Sequence, residues 1–260
     1  MGTLISKIRT GLPVLGTHIS LNDPEISELI GNVGFDYLWI DTEHSSISLE
    51  CLQQHLVACR AAGVSAVVRV PSVDRVKVKP ILEMGPDGIV FPQVNSYEMA
   101  QEAVQSCLYP PKGVRGFGPR RAVQFGNISL SDYLDSVDGN LLKILQFEHI
   151  AALKDLDKIL TIEDVDVIML GPCDLASSMC HINDWHHPDV DEVVGEVYKK
   201  VHQAGKKMGV SFGACPRSEM EYYKNLGTDM LSIAADTDYL YLGAKQVLHD
   251  LKQVYGQPHD

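Results

Sequence analysis

Two apolar runs, Lys143-Ile-Leu-Gln-Phe-Glu148-His149 and Val165-Asp-Val-Ile-Met-Leu-Gly171-Pro172-Cys173-Asp174-Leu175, each end abruptly in a carboxylate. Short aliphatic and β-branched runs that stop at an acid have the pattern of buried parallel strands with chemistry at their C-terminal tips. Either acid alone has a plainer reading, as a helix cap or a solvated charge. Together they say more. A helix-length segment separates them, so a right-handed βαβ unit would bring both tips out side by side on one face of the sheet. Carboxylates that close repel each other unless a cation holds them.

The elements that would position this pair recur along the whole chain. Strand-like runs lie at 13–20, 35–41, 65–69, 88–94, 143–148, 165–170, 208–213 and 230–235. Asn22-Asp-Pro-Glu opens a helix through about 32 with Pro24 in its first turn, and helical patterns follow at roughly 48–62, 73–84, 96–106, 150–160, 189–204, 217–226 and 237–254. Glycine-containing turns such as Asn32-Val-Gly-Phe and Leu226-Gly-Thr-Asp suit helix ends that feed a parallel strand. Strict alternation over eight units in roughly 250 residues predicts an α/β protein with a closed (β/α)8 TIM barrel as one domain over 1–260. An open doubly wound sheet would have fewer strands, and no G-x-G-x-x-G or Walker loop is present. Two connections are long, 107–128 with several arginines and 175–188, and loops of that length tend to be functional or to meet a partner subunit. The tail 256–260 is expected to be disordered.

Bulk composition narrows the function classes. A formal net charge of -12 argues against nucleic acid as a partner, since phosphates are held by clustered Lys and Arg. No apolar run approaches the roughly 20 residues that cross a bilayer, and Met1 to Arg9 lacks the apolar core of a signal peptide, so the expected compartment is the cytoplasm and no membrane partner is expected. The six cysteines, Cys51, Cys59, Cys107, Cys173, Cys180 and Cys215, are scattered without zinc-site spacing and read as free thiols.

With the strands placed, their C-terminal ends carry His18, Asp41, Glu43, His44, Arg69, Gln93, Glu148 and Asp174. Packing does not explain such a set, because charged groups are rarely buried unless paired or metal-bound. Here the chain resembles a known family. Trp39-Ile-Asp41-Thr-Glu43-His44, Val67-Val-Arg69-Val-Pro71, Tyr109-Pro-Pro-Lys-Gly-Val-Arg115-Gly, Gln146-Phe-Glu148 and Leu170-Gly-Pro-Cys-Asp174-Leu together resemble the HpcH/HpaI family of class II, metal-dependent pyruvate aldolases, in the same order from about Gly11 to Ala235.

The resemblance implies an aldehyde-lyase that reversibly cleaves a 4-hydroxy-2-oxo acid to pyruvate and an aldehyde. Its divalent ion, Mg, Mn or Co, would be held by Glu148 and Asp174, with positions open for the 2-oxo acid. Arg69 matches the arginine that donates to the keto or enolate oxygen, against the plainer reading of an interstrand salt bridge. His44 matches the general acid/base, Asp41 would orient it or bind a metal water, against the equal reading of a loop cap, and Glu83 stands where the family often has an Asp that partners the histidine. Gln146 would bind a metal water or substrate. In the turn formed by Gly171, Pro172, Cys173 and Asp174 the amides of Cys173 and Asp174 would point at the substrate carboxylate, Pro172 having no N–H, with Cys173 a lining residue rather than a nucleophile. Arg115 would reach the distal end of the acceptor or a subunit contact, and Phe212 would line the aldehyde pocket. No counterpart fixes roles for Arg120, Arg121 or His149. The family also implies a homo-oligomer, typically a hexamer, with the helix at about 237–254 exchanged between subunits. The rival readings are a related lyase acting on a CoA thioester and a catalytically idle barrel with a binding role.

Overall fold

In the computed structural model, which describes residues 4–257, eight parallel strands pair in sequential order and the last returns to the first. The chain runs α1 (Leu4–Arg9), β1 (Val14–Ile19), α2 (Glu25–Gly31), β2 (Tyr37–Asp41), α3 (Leu49–Ala62), β3 (Ser65–Arg69), α4 (Arg75–Glu83), β4 (Gly88–Phe91) and α5 (Tyr97–Cys107). It continues through α6 (Leu130–Asn140), β5 (Leu142–Phe147), α7 (Leu156–Ile159), β6 (Val167–Leu170), α8 (Pro172–Ser178), α9 (Pro188–Gln203), β7 (Lys207–Phe212), α10 (Arg217–Asn225), β8 (Met230–Ala235) and α11 (Asp236–Tyr255). The expected (β/α)8 barrel is therefore the fold, with all eight strands where the pattern of apolar runs puts them.

Alternation of side chains across each strand makes two cores. Tyr37, Trp39, Val67, Val90, Leu142, Ile144, Val167, Met169 and Met230 fill the lumen, and Leu4, Ile5 and Ile8 of α1 join the same cluster. The intervening residues, among them Leu38, Ile40, Val68, Ile89, Leu145, Ile168 and Val210, face outward into the layer shared with the helices. The lumen-facing series continue past the apolar layers into polar residues: Tyr37, Trp39, Asp41 on β2; Val67, Arg69 on β3; Leu142, Ile144, Gln146, Glu148 along β5 and its end. A period of two thus aims the chemistry-bearing side chains into one mouth.

Helix starts are set by short polar side chains. Ser48, Asp74 and Ser96 accept from the backbone N–H groups of Cys51, Val76 and Met99. Two expectations need adjustment. The stretch at 150–160 is a 3-10 turn over Ile150–Asp155 before the single turn of α7, and α6 occupies residues left without an element. At the C-terminus, Gly256 closes α11 in a left-handed conformation, while 258–260 of the expected disordered tail lie outside the described residues. No helix of the described residues is long and apolar enough to cross a membrane.

The last helix is unlike the others. Of its 20 residues only Asp236 is buried, and Leu240, Tyr241, Leu242, Val247, Leu248, Leu251, Val254 and Tyr255 are exposed. Beside its start, Leu15, Phe35, Met220, Leu231 and Ile233 line an apolar groove with a volume of about 630 Å³.

One lumen contact tolerates no added carbon. A Cβ at Gly16 would lie 2.3 to 2.5 Å from the ring of Tyr37, which is fully buried and donates to the Leu231 carbonyl at 2.8 Å. Gly16→Ala is expected to destabilise the fold by about 2 kcal/mol or more, read as a lower urea midpoint at unchanged slope.

Candidate active site

The carboxyl mouth is organised around a buried guanidinium. Arg69 ends β3 opposite Asp41 on β2, the two being register partners. Its Nε donates to Asp41 Oδ1 at 2.9 Å and one terminal nitrogen to Asp41 Oδ2 at 2.5 Å, a two-point bond that fixes the plane of the fork. Trp39, one turn of the pleat below, lies under the same group with its ring centroid 5.5 Å from the guanidinium carbon. The second terminal nitrogen is held more loosely. It sits 3.2 Å from Glu43 Oε2 and 3.5 Å from Gln146 Oε1. The Glu43 contact is one of charge and not an aligned hydrogen bond, since Oε2 is buried with no hydrogen-bond partner.

Asp41 does a second task, that of the loop cap. Its Oδ1 accepts from the backbone N–H groups of Glu43 and His44 at 2.9 and 3.3 Å, so it shapes the loop and not the imidazole. The His44 side chain is 66% exposed at the mouth, with Nε2 3.6 Å from Glu43 Oε2. Burial works against ionising Asp41, yet the hydrogen bonds and charge of Arg69 outweigh it and hold the carboxyl below its usual range. Glu43 goes the other way: burial raises it, Arg69 lowers it, and the charges of Asp41 and Asp174 raise it again.

Glu148 follows the end of β5, almost fully buried. Gln146 donates to its Oε2 at 2.7 Å, and the backbone N–H of Gln93 donates to Oε1 at 2.6 Å. Gln93 reaches that position with φ at 53°, a left-handed conformation rare for a residue with a side chain and the sort of strain that collects at functional sites. Burial raises the Glu148 carboxyl, the Gln93 bond lowers it, and the charges of Asp174 and Glu43 raise it further, to about 7. On the neighbouring strand end, a Cβ at Gly171 would meet Glu148 Cβ and Oε2, both at 2.9 Å. Only glycine there leaves the carboxylate its place. Pro172 is the first residue of α8, Cys173 and Asp174 follow, and both of the latter are exposed toward the mouth side of the turn. Among the described residues Asp174 has no hydrogen bond or ion pair.

These features fit a divalent cation. Three carboxylates, Asp41, Glu43 and Glu148, share the electrostatics of one guanidinium, and a fourth, Asp174, adds its charge to those of Glu43 and Glu148. Glu148 is pushed toward its neutral form, one Glu43 oxygen is buried and orphaned, and the carboxylates offer oxygen, the ligand type of Mg or Mn.

Other expected site residues lie elsewhere. Glu83 ends α4, which runs back toward the amino end of the barrel, and its carboxylate is 3.7 Å from Arg115. Arg115 is buried there, donating to Tyr133 Oη at 2.8 Å and the Leu82 carbonyl at 3.2 Å, with its charge over the Tyr109 ring. Within one chain neither joins His44 or the acceptor side. Arg121 anchors the same loop by donating to the carbonyls of Met84 and Leu56. Phe212 is the outward neighbour of lumen-facing Ser211 on β7, and its ring packs on Trp185 and Tyr223 at 5.2 and 6.4 Å, outside the carboxylate cluster. His149 caps the following turn through Nδ1, accepting from Ala151 N–H. His18 is tied at both ring nitrogens, to the Ala234 carbonyl at 2.8 Å and Ser211 Oγ at 2.9 Å, and burial lowers its pKa. The Gln93 amide had no sequence signal beyond its place after β4.

Residues 15–241 match the family described as HpcH/HpaI aldolase/citrate lyase. The chain is 33% identical over 230 residues to a hydroxypyruvate/pyruvate aldolase of Agrobacterium fabrum, covering 88% of this chain and 85% of that one. It is 30% identical to a 5-keto-4-deoxy-D-glucarate aldolase of Shigella boydii, over 91% of this chain and 90% of the relative. Among solved structures, an HpcH/HpaI aldolase from Desulfitobacterium hafniense superposes with a TM-score of 0.90 at 30% identity, covering 97% of both chains.

In metal-free protein the raised Glu148 carboxyl gives a pH test with a defined sign. Between about 4.5 and about 7 the unfolded chain loses this proton while the folded chain keeps it, so stability falls as pH rises and levels off above about 7. Glu148→Gln removes the penalty. Its stability relative to wild type is expected to improve across that window by on the order of 3 kcal/mol, measured by denaturant unfolding in EDTA at pH 5 and pH 8.

Proposed function

The chain belongs to the HpcH/HpaI aldolase/citrate lyase family, and we propose that it is a divalent-metal-dependent aldolase cleaving a 4-hydroxy-2-oxo acid reversibly to pyruvate and an aldehyde. The observation that carries this reading is the convergence of Glu148, Glu43 and Asp41 on Arg69 at the barrel mouth, with Asp174 beside them and a surplus of negative charge. The names of the relatives support a 2-oxo acid substrate.

Glu148 and Asp174 would hold the ion, and a divalent cation there supplies Lewis-acid polarisation of the keto oxygen, worth on the order of several kcal/mol. The protein's own part is orientation and proton handling. Arg69 has two of its nitrogens committed to Asp41, so the third, near Gln146, is the one that donates to the substrate oxygen gaining charge as the C3–C4 bond breaks. Gln146 is fixed by its bond to Glu148 and offers its carbonyl oxygen to the same space. His44, exposed at the rim, takes the 4-hydroxyl proton directly or through water as the aldehyde carbonyl forms. The electron pair left on C3 conjugates with the keto group, and protonation at C3 completes pyruvate. Pro172 has no N–H, so backbone recognition of the substrate carboxylate in the Gly171–Asp174 turn falls to Cys173 and Asp174.

The same reading includes a homo-oligomer in the reducing cytoplasm. Six unpaired thiols accord with that compartment. The exposed apolar side of α11 and the apolar groove at Leu15, Phe35, Met220 and Leu231 suit each other as surfaces exchanged between copies.

Two outcomes are expected. EDTA abolishes pyruvate release from a 4-hydroxy-2-oxo acid, and Mg or Mn restores it, followed in a coupled pyruvate assay. Activity that survives complete metal removal would exclude the metal-dependent reading. Replacing Leu248 and Leu251 by Glu is expected to lower the molar mass seen by light scattering toward that of a single 28.7 kDa chain.

A further inference from the structure

The connection between α8 and α9 carries three histidines that the carboxylate cluster does not use. Two of them, His181 and His187, lie ring on ring, with centroids 3.5 Å apart and planes 13° from parallel. Both address one carboxylate: His181 Nε2 is 3.5 Å from Asp189 Oδ2, and His187 Nδ1 is 3.7 Å from the same oxygen. One ligand atom from each of the three residues lies within 4.8 Å of the other two.

Those spacings can be set against metal geometry. Bonds of about 2.1 Å to nitrogen and oxygen place tetrahedral ligands about 3.4 Å apart. Two of the three edges already come close to that value, and because an ion bonded to both nitrogens lies near both ring planes, one imidazole swings out of the stack to complete the set. The side chains are 24%, 32% and 66% exposed, so a fourth position opens to water. The donor set also differs from that at the barrel mouth. Two imidazoles and a carboxylate favour a transition ion, whereas an all-oxygen set favours Mg or Mn.

We propose that His181, His187 and Asp189 form a second metal site, for a divalent transition ion such as zinc, distinct from the Glu148 and Asp174 pair. The ion ties the start of the connection to the first turn of α9. His187 Nδ1 now accepts from Asp189 N–H at 3.2 Å, and on binding it exchanges that bond for the metal. Between the anchors, Trp185 packs on Phe212 at 5.2 Å, and His186 bridges Glu219 at 2.9 Å and Asp191 at 3.2 Å. The tied segment follows directly on α8, whose first turn carries Asp174. Its role is structural, and it stands whether or not the aldolase reading does.

The test uses untagged full-length protein in saturating Mg, which occupies the mouth, with zinc uptake measured by equilibrium dialysis and melting followed with and without zinc. Wild type is expected to take up one zinc equivalent that the His181→Ala/His187→Ala double variant lacks, and Glu148→Gln is expected to retain it. Zinc should raise the melting temperature of wild type and leave that of the double variant unmoved, each compared with itself in EDTA, where the variant lacks the His187 cap of α9. Asp189→Asn, which keeps the shape of the side chain, should weaken uptake, and cobalt bound to wild type should show a visible spectrum that the double variant loses. Equal zinc uptake by wild type and the double variant, or none by wild type, would overturn the proposal.

Discussion

The two-point bond between Arg69 and Asp41 is the constraint around which the mouth is built. A buried ion pair adds little net stability, because desolvating both charges offsets much of their attraction. What it fixes is direction. With two nitrogens engaged, the guanidinium plane cannot rotate, and the remaining nitrogen faces Gln146 and Glu43. Asp41 in turn holds the amides of Glu43 and His44, so a single carboxylate sets both the cation and the loop bearing the histidine.

That pair leaves the other acids only partly compensated. Glu148 lies buried against the negative charges of Asp174 and Glu43 and is driven toward protonation. The arrangement is costly as it stands, and the divalent ion proposed above would offset that cost. Gly171 shows the same fitting in steric terms, since its missing side chain is the room Glu148 occupies.

Much of this was legible in the sequence because strands have a period of two. Apolar runs ending in Asp41, Arg69 and Glu148 gave both the barrel and the residues that face its mouth, and Gln146 follows from Glu148 by parity. The same rule, applied to β7, separates Ser211 in the lumen from Phe212 outside it, which the family likeness alone did not. Glu83 and Arg115 were placed with the site by motif resemblance, but α4 carries Glu83 to the far end of the barrel and Arg115 packs beside it. The Gln93 amide is a backbone group and leaves no mark on residue type. Helix α6 went unassigned because Leu130-Ser-Asp-Tyr-Leu-Asp-Ser-Val buries only Tyr133 and Val137, too sparse a stripe to stand out. His181 and His187 are six apart, a separation that no regular helix or strand brings together; a turning loop does.

Asp236 is the one fully buried residue of α11, and it accepts from Ser20 Oγ and from the backbone N–H groups of Ser20 and Leu21 just past β1. The departing helix is therefore pinned to the rim two residues beyond His18. In the oligomer proposed above, a neighbouring copy that pulled on α11 would turn it about this anchor, so that the lip of the barrel would serve as the fulcrum.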